Sequence, residues 1–249
     1  MVDTRSYCGV FMPIHVRSTY PVPPIVFLPG DPNRAKWIAE HILENAVCTT
    51  DYRQMLGYKG QYHGKDIGIQ TTGMGGPSAA IVCEELIELG AQFFIRIGTC
   101  GAIHCNMNPG DLLLVSAACM TDGTSQELMD SYMAGTNLKM GFPATSDFEF
   151  LCKAAEEAKK QHIPYHIGKV ASLDRFYGHS DETYRKLSDI GIAAVEMEAA
   201  TVLTMATIHG IRAAACMTVS DQVFGSARAS EDVIQTGVER MIRVALEAV

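Results

Sequence analysis

A chain of 249 residues with 47% hydrophobic and 19% charged residues can fill one large core, and unbroken helix and strand signals lead us to expect a single domain over 1–249. Twenty basic against 28 acidic residues give a formal net charge of −8 with no basic run, which argues against a nucleic-acid partner but not against a small anion held by converging arginines. No apolar run reaches membrane length, residues 1–5 lack a signal-like apolar core, and eight cysteines without a CxxC pair point to free thiols in a reducing cytosol rather than to disulfides or a zinc site.

In chain order, residues 1–22 read as irregular. Pro21, Pro23 and Pro24 lead into a short apolar strand over 25–28. Asp31-Pro32 then starts a helix reaching about 43, with Asp as N-cap and Pro at the first helical position. Further strands are predicted at 66–72, 93–98, 112–117, 167–171, 192–195 and 213–219. Helices are predicted at 78–89, 147–160, 181–189, 197–209 and 230–248, while 121–145, rich in Gly, Met, Ser and Asp, reads as a long loop or crossover. Several strands are apolar without alternation, as when both faces are covered, and strands alternating with helices indicate a layered α/β fold.

Five segments carry candidate chemistry. Pro29-Gly30-Asp31-Pro32-Asn33-Arg34 joins a strand to a helix N-terminus; it is either an anion site clamped by Arg34 or a capped helix with a solvated arginine. In Arg96-Ile97-Gly98-Thr99-Cys100-Gly101 an arginine sits inside an apolar strand, where it must bind an anion or form a buried salt bridge, and Thr99 lies between two glycines at the strand's end. Val195-Glu196-Met197-Glu198 brings two carboxylates into an apolar strand-to-helix junction; one can be an ordinary first-turn acid, and a carboxylate also suits the vicinal diol of a ribose. Thr218-Val219-Ser220-Asp221 ends the most apolar strand, so Asp221 is half desolvated and is either a general acid or a turn cap. Gly73-Met74-Gly75-Gly76-Pro77-Ser78 is a weak match to a dinucleotide fingerprint and reads as a tight turn with Ser78 capping the next helix. The histidines show no metal-ligand spacing, and Cys100 has no evident base, so neither a metal nor a thiol nucleophile is expected.

PGDPxR, RIGTCGA, VEMEAA and TVSD, in this order and at these separations, resemble the purine nucleoside phosphorylase and uridine phosphorylase family over nearly the whole chain, from about His15. The resemblance implies a single-domain, three-layer α/β fold with a central mixed, largely parallel twisted sheet flanked by helices. It implies a phosphate site of Gly30, Arg34, Arg96 and Thr99, completed by Arg53 from a neighbouring subunit. It also implies ribose contacts from Met74, Met197, Glu198 and the neighbour's His15, a base site of Phe176, Val195, Glu196, Ser220 and Asp221, and Asp221 as the acid to purine N7. Sites shared between subunits imply at least a homodimer, and the family usually forms hexamers of three dimers.

Where uridine phosphorylases read uracil with a Gln and an Arg, this chain has Gly178-His179-Ser180-Asp181-Glu182, which favours a purine. Two residues depart from the pattern. Arg175 precedes Phe176 where an apolar residue is expected, and Arg228 stands closer to Asp221 than the arginine that assists the acid in such enzymes. The expected activity is phosphorolysis of purine nucleosides to base and ribose 1-phosphate, in the cytoplasm. Inorganic phosphate is co-substrate and neither a metal nor an organic cofactor is needed. A uridine phosphorylase, a water-using nucleosidase and a nucleoside-binding sensor without turnover are the rivals.

Overall fold

The computed structural model describes residues 13–104, 106–136, 142–224 and 228–249, together with the backbone of 6–7 and 10–11. Cys8 and Cys105 lie outside the described residues; the six described cysteines are unpaired. Two short strands, β1 (Ser6–Tyr7) and β2 (Val10–Phe11), pair antiparallel within the segment expected to be irregular. The main sheet begins with β3 (Ile25–Pro29), followed by α1 (Pro32–His41), β4 (Glu44–Thr50), a short helical turn (Tyr52–Gln54), β5 (Gly57–Tyr62) and β6 (Lys65–Gln70). Then come α2 (Gly76–Glu88), β7 (Phe93–Ala102), β8 (Leu112–Met120), α3 (Gly123–Tyr132), β9 (Ala144–Thr145) and α4 (Phe148–Lys160). The last elements are β10 (Tyr165–Ser172), α5 (Asp181–Asp189), β11 (Ile192–Glu196), α6 (Ala199–Ile208), β12 (Arg212–Gln222) and α7 (Glu231–Glu247).

Successive strand residues point to opposite faces, so an unbroken apolar strand feeds two cores at once. Val26, Leu28, Phe94, Leu113, Val115, Ala215 and Met217 join one cluster with α2 and α6. Their neighbours Phe27, Ile95, Ile97, Leu112, Leu114, Ala214 and Cys216 join the other, with α1, α4 and α7. The expected helix–sheet–helix layering is therefore what the sequence builds. Residues 199–206 of α6 are all buried, as in a helix covered on every side.

The sheet is mixed. β6, β3, β7 and β12 run parallel in one block, and β8, β10 and β11 in a second. The blocks meet antiparallel at β12–β8 and again at β11–β7, so five strands close on themselves. Closure depends on β7 and β12 running on to Ala102 and Gln222, beyond the predicted ends at 98 and 219.

Two further boundaries differ from expectation. The segment read as a loop holds α3 and β9. Asp122 is buried and caps α3, accepting from Ser125 N at 2.8 Å and Thr201 Oγ1 at 3.1 Å. Only Ser125 and Met129 of α3 are buried, which is why apolar periodicity did not reveal it. The edge strand β4 and its neighbour β5 were also missed; their burial follows no alternation and Asn45 has φ 53°.

Candidate active site

At the carboxyl ends of β3, β7, β11 and β12 lies a cavity of about 750 Å³, within the usual range for a small-molecule site. The β3–α1 junction supplies Gly30 and Arg34. Asp31 caps α1 as predicted, accepting from Asn33 N at 2.8 Å, so its charge is taken up by the helix. Arg34 donates to the Ile97 carbonyl at 3.1 Å. Burial, and then the neighbouring Arg96, lower its pKa to about 10. Two guanidinium groups thus stand near one another, Arg96 buried and Arg34 half-buried, an arrangement that an anion relieves.

Arg96 forms the buried salt bridge that was one of its two readings. It forms a very short hydrogen bond to Glu198 Oε2 and lies 3.6 Å from Glu196 Oε2. Yet among the described residues its buried Nε and Nη1 have no hydrogen-bond partner. Buried polar atoms rarely stay unsatisfied outside functional sites. Two glycines make room for the group. A Cβ on Gly98 would stand 2.8 Å from Arg96 Nη2 and from Met217 Sδ, and one on Gly30 would stand 3.1 Å from the Gly73 carbonyl. Thr99, half-buried, lies between Gly98 and Cys100 on the cavity wall, inside β7 rather than at its end.

The two carboxylates of the β11–α6 junction divide their work. Glu196 accepts from Ser172 Oγ, from Glu198 N at 2.9 Å and from Ala199 N at 2.9–3.0 Å, holding the first N–H groups of α6. Burial raises its pKa, against the pull of Arg96. Its carboxylate is largely committed to the fold even though the residue lines the cavity. Glu198 pairs with Arg96 through one oxygen and accepts from Gly75 N at 2.5 Å through the other. This corrects the expectation for Ser78. The cap position of α2 is Gly75 at φ 86°, and the Ser78 hydroxyl instead donates to the Thr72 carbonyl at 2.5 Å. Met74, 85% exposed, and Met197 line the same side.

At the other end, β12 bulges against β7 between Val219 and Asp221, leaving Ser220 without a register partner. Bulges re-aim side chains beside sites. Here Ser220 Oγ reaches both the Cys100 carbonyl at 3.1 Å and Asp221 Oδ1 at 2.6 Å. Arg228 Nη1 lies 3.6 Å from the same Asp221 oxygen. Among the described residues no backbone N–H donates to the Asp221 carboxylate. Val195 and Phe176, the latter 63% exposed, line this end. Burial pushes the Cys100 thiol pKa up, and Glu196 and Asp221 add to the effect, which disfavours the thiolate.

His15 and Arg53 lie away from this cavity's wall. Glu85 of α2 receives the backbone N–H groups of Ile14 at 3.0 Å, His15 at 2.9 Å and Val16 at 2.5 Å, and the His15 ring at 2.9 Å. Arg53 stands in the short turn after β4, where Arg53 and Gln54 both adopt positive φ, 56° and 62°. Sequence reasoning missed Tyr184, which reaches the cavity from α5 and packs edge-on to Phe224 with centroids 6.3 Å apart. An isolated tyrosine in an exposed helix carries no signal of its own. Among the described residues no cluster of three or more His, Cys, Asp or Glu is arranged to hold a metal, and no helix is long and apolar enough to cross a membrane.

Residues 24–249 match the phosphorylase superfamily. Over 224 residues the chain is 38% identical to the DeoD-type purine nucleoside phosphorylases of Bacillus cereus (strain B4264) and of Brevibacillus brevis, covering 90% of this chain and 92% of each relative.

Proposed function

Since this chain belongs to the phosphorylase superfamily, we propose that it cleaves the N-glycosidic bond of purine nucleosides with inorganic phosphate, releasing the free base and ribose 1-phosphate. One observation carries the reading. Two guanidinium groups near one another, one of them buried with N–H donors that have no partner among the described residues, stand at one end of a cavity whose other end holds a carboxylic acid.

Phosphate binds under the sugar between Arg34 and Arg96, with Thr99 and the Gly30 backbone beside it. Arg53 of a second subunit completes the set. Glu198, fixed by Arg96 and Gly75, holds the ribose hydroxyls, with Met74, Met197 and the second subunit's His15 around the sugar. Phe176 and Val195 enclose the base. As the C1′–N9 bond lengthens, positive charge grows on the ribose and the phosphate oxygens stabilise it. The electron pair of the breaking bond passes to the purine, N7 takes a proton from Asp221, and a phosphate oxygen bonds to C1′. Ser220 and Arg228 hold Asp221 in place. These residues supply the chemistry without a metal or organic cofactor. Two left-handed residues at the Arg53 turn support a functional role for it, since such strain concentrates at functional sites. The working assembly is a dimer that completes each site, three of which make a hexamer, in the cytoplasm.

A panel of inosine, guanosine, adenosine and uridine assayed with and without phosphate tests the reading. Purine cleavage that requires phosphate is expected. Cleavage in its absence would make the protein a nucleosidase, and preference for uridine would make it a pyrimidine enzyme.

A further inference from the structure

The turn between β10 and α5 carries Phe176 on the cavity wall, and residues 174–178 are all exposed, so apolar packing does not fix it. The end of β10 is well anchored. Thr121 Oγ1 donates to the Ser172 carbonyl at 2.5 Å, and Leu173 N donates to the Glu196 carbonyl at 2.8 Å. Past Leu173 the bonds of Arg175 and His179 close on the turn itself. Arg175 Nη2 donates to the Gly178 carbonyl at 3.4 Å, and His179 Nε2 lies 3.0 Å from the Arg175 carbonyl. Among the described residues, one hydrogen bond leads from 174–179 out of the turn: Gly123 N, at the start of α3, donates to Asp174 Oδ2 at 2.8 Å.

α3 is a fixed post for that bond. Its cap, Asp122, is buried and accepts from Ser125 N and from Thr201 Oγ1 of α6, the helix that begins beside Glu198. α2 packs close by: a Cβ on Gly76 would stand 2.8 Å from Thr201 Oγ1 and 3.0 Å from Thr124 Cβ. Glu198, α6, α3 and Asp174 thus form a continuous link from the sugar end of the cavity to the turn that carries Phe176. A carboxylate on the first N–H of a helix is favoured by the helix dipole, and its charge strengthens the bond. We propose that Asp174 is a positioning residue: by tying its turn to α3 it holds Phe176 against the base. Asp174 and Gly123 are both exposed, so the bond adds little to global stability and acts on where the turn sits.

The inference rests on the phosphorolysis reading for turnover, while base binding tests it without turnover. Asp174→Ala removes the acceptor, and Asp174→Asn keeps one. Gly123→Pro removes the donor from the other side. It falls at the first helical position, where proline is tolerated, and Asp122 before it already has the extended backbone, φ −96° and ψ 148°, that a following proline favours. Asp174→Ala and Gly123→Pro should each raise the KM for inosine, and the calorimetric Kd for hypoxanthine, roughly three- to tenfold. The kcat, the KM for phosphate and the Tm should stay close to wild type. Asp174→Asn should recover most of the loss. Because Asp174 acts through Phe176, Asp174→Ala should cost nothing further in a Phe176→Ala background. Unchanged inosine KM and hypoxanthine Kd in Asp174→Ala, a parallel rise in the KM of both substrates, or losses that add in the double variant overturn the proposal. Failure of phosphorolysis shows differently: wild type then cleaves no inosine with phosphate, while the hypoxanthine titration still compares the variants.

Discussion

Arg34 and Arg96 are both assigned to phosphate, but they stand in different settings, and substitution separates them. Arg34 bonds a backbone carbonyl, so Arg34→Met removes that bond and the proposed phosphate contact, and little else. It should raise the KM for phosphate about tenfold or more while leaving thermal stability nearly unchanged. Arg96 also neutralises Glu198 and Glu196, so Arg96→Met leaves two buried carboxylates unpaired and should cost about 3–5 kcal/mol of stability besides its effect on phosphate. Steady-state kinetics in phosphate and denaturant unfolding distinguish the two; equal stability losses would refute the division. For Asp221→Ala, kcat/KM on inosine should fall roughly 10²–10⁴-fold, and far less on a nucleoside already alkylated at N7, whose base departs without a proton. Equal losses on both substrates count against the acid role. At this scale the sequence was informative wherever a charge interrupted an apolar strand, as at Arg96, Glu196, Glu198 and Asp221, because burying a charge demands a reason. It was silent on Tyr184, and it left the committed role of Glu196 open, because only the folded chain shows which N–H groups that carboxylate receives.

Elements place these residues by small irregularities that no local pattern announces. The bulge at Ser220 and the antiparallel contact of β11 with β7 depend on strands meeting from opposite ends of the chain. Periodicity revealed the central strands and the amphipathic helices, because their apolar residues face packed layers. It failed for α3, which hangs on a buried aspartate cap, and for the edge strand β4 and its neighbour β5. The segment carrying His15 shows how thin such attachments are, since Glu85 alone gathers its three N–H groups. Burial by itself would raise the Glu85 pKa; the N–H groups of Val16, His15 and Ile14 and the His15 ring override it and bring the value below the ordinary 4.5. A carboxyl depressed by folding contributes stability that is present above its unfolded pKa and lost as pH falls through the folded one. Hydrogen-exchange protection at Ile14, His15 and Val16 should therefore hold at neutrality and fade as pH drops below about 4.5. Glu85→Gln should lack that protection throughout the range. Protection that stays constant into acid would mean that other contacts hold the segment. Gly98→Ala belongs here as well: its Cβ meets Arg96 and Met217 in the crowded centre of β7, so phosphate binding should weaken and stability fall by about 1–3 kcal/mol.

For the whole molecule, the open question is where Arg53 acts, since its own cavity does not include it. Symmetric dimers allow a complementation test. Arg53→Ala and Asp221→Ala subunits should each be nearly inactive when expressed alone. Co-expressed, they form mixed dimers in which the Arg53→Ala subunit keeps its Asp221 and receives Arg53 from its neighbour. One site of each mixed dimer is then intact and the other carries both lesions. With random pairing, about a quarter of all sites regain full function. The same holds when dimers are grouped into a hexamer, because exchange stays within each pair. If Arg53 instead swings into its own subunit's cavity, every site in the mixture carries one lesion and co-expression restores nothing. Size-exclusion chromatography of each variant must first show the wild-type assembly, so that a failure to mix is not read as a failure to complement. Repeating the mixture with His15→Ala in place of Arg53→Ala asks the same of the ribose end. Recovery in both mixtures would place both residues across the same interface, and recovery in one alone would show that the second subunit completes only that part of the site.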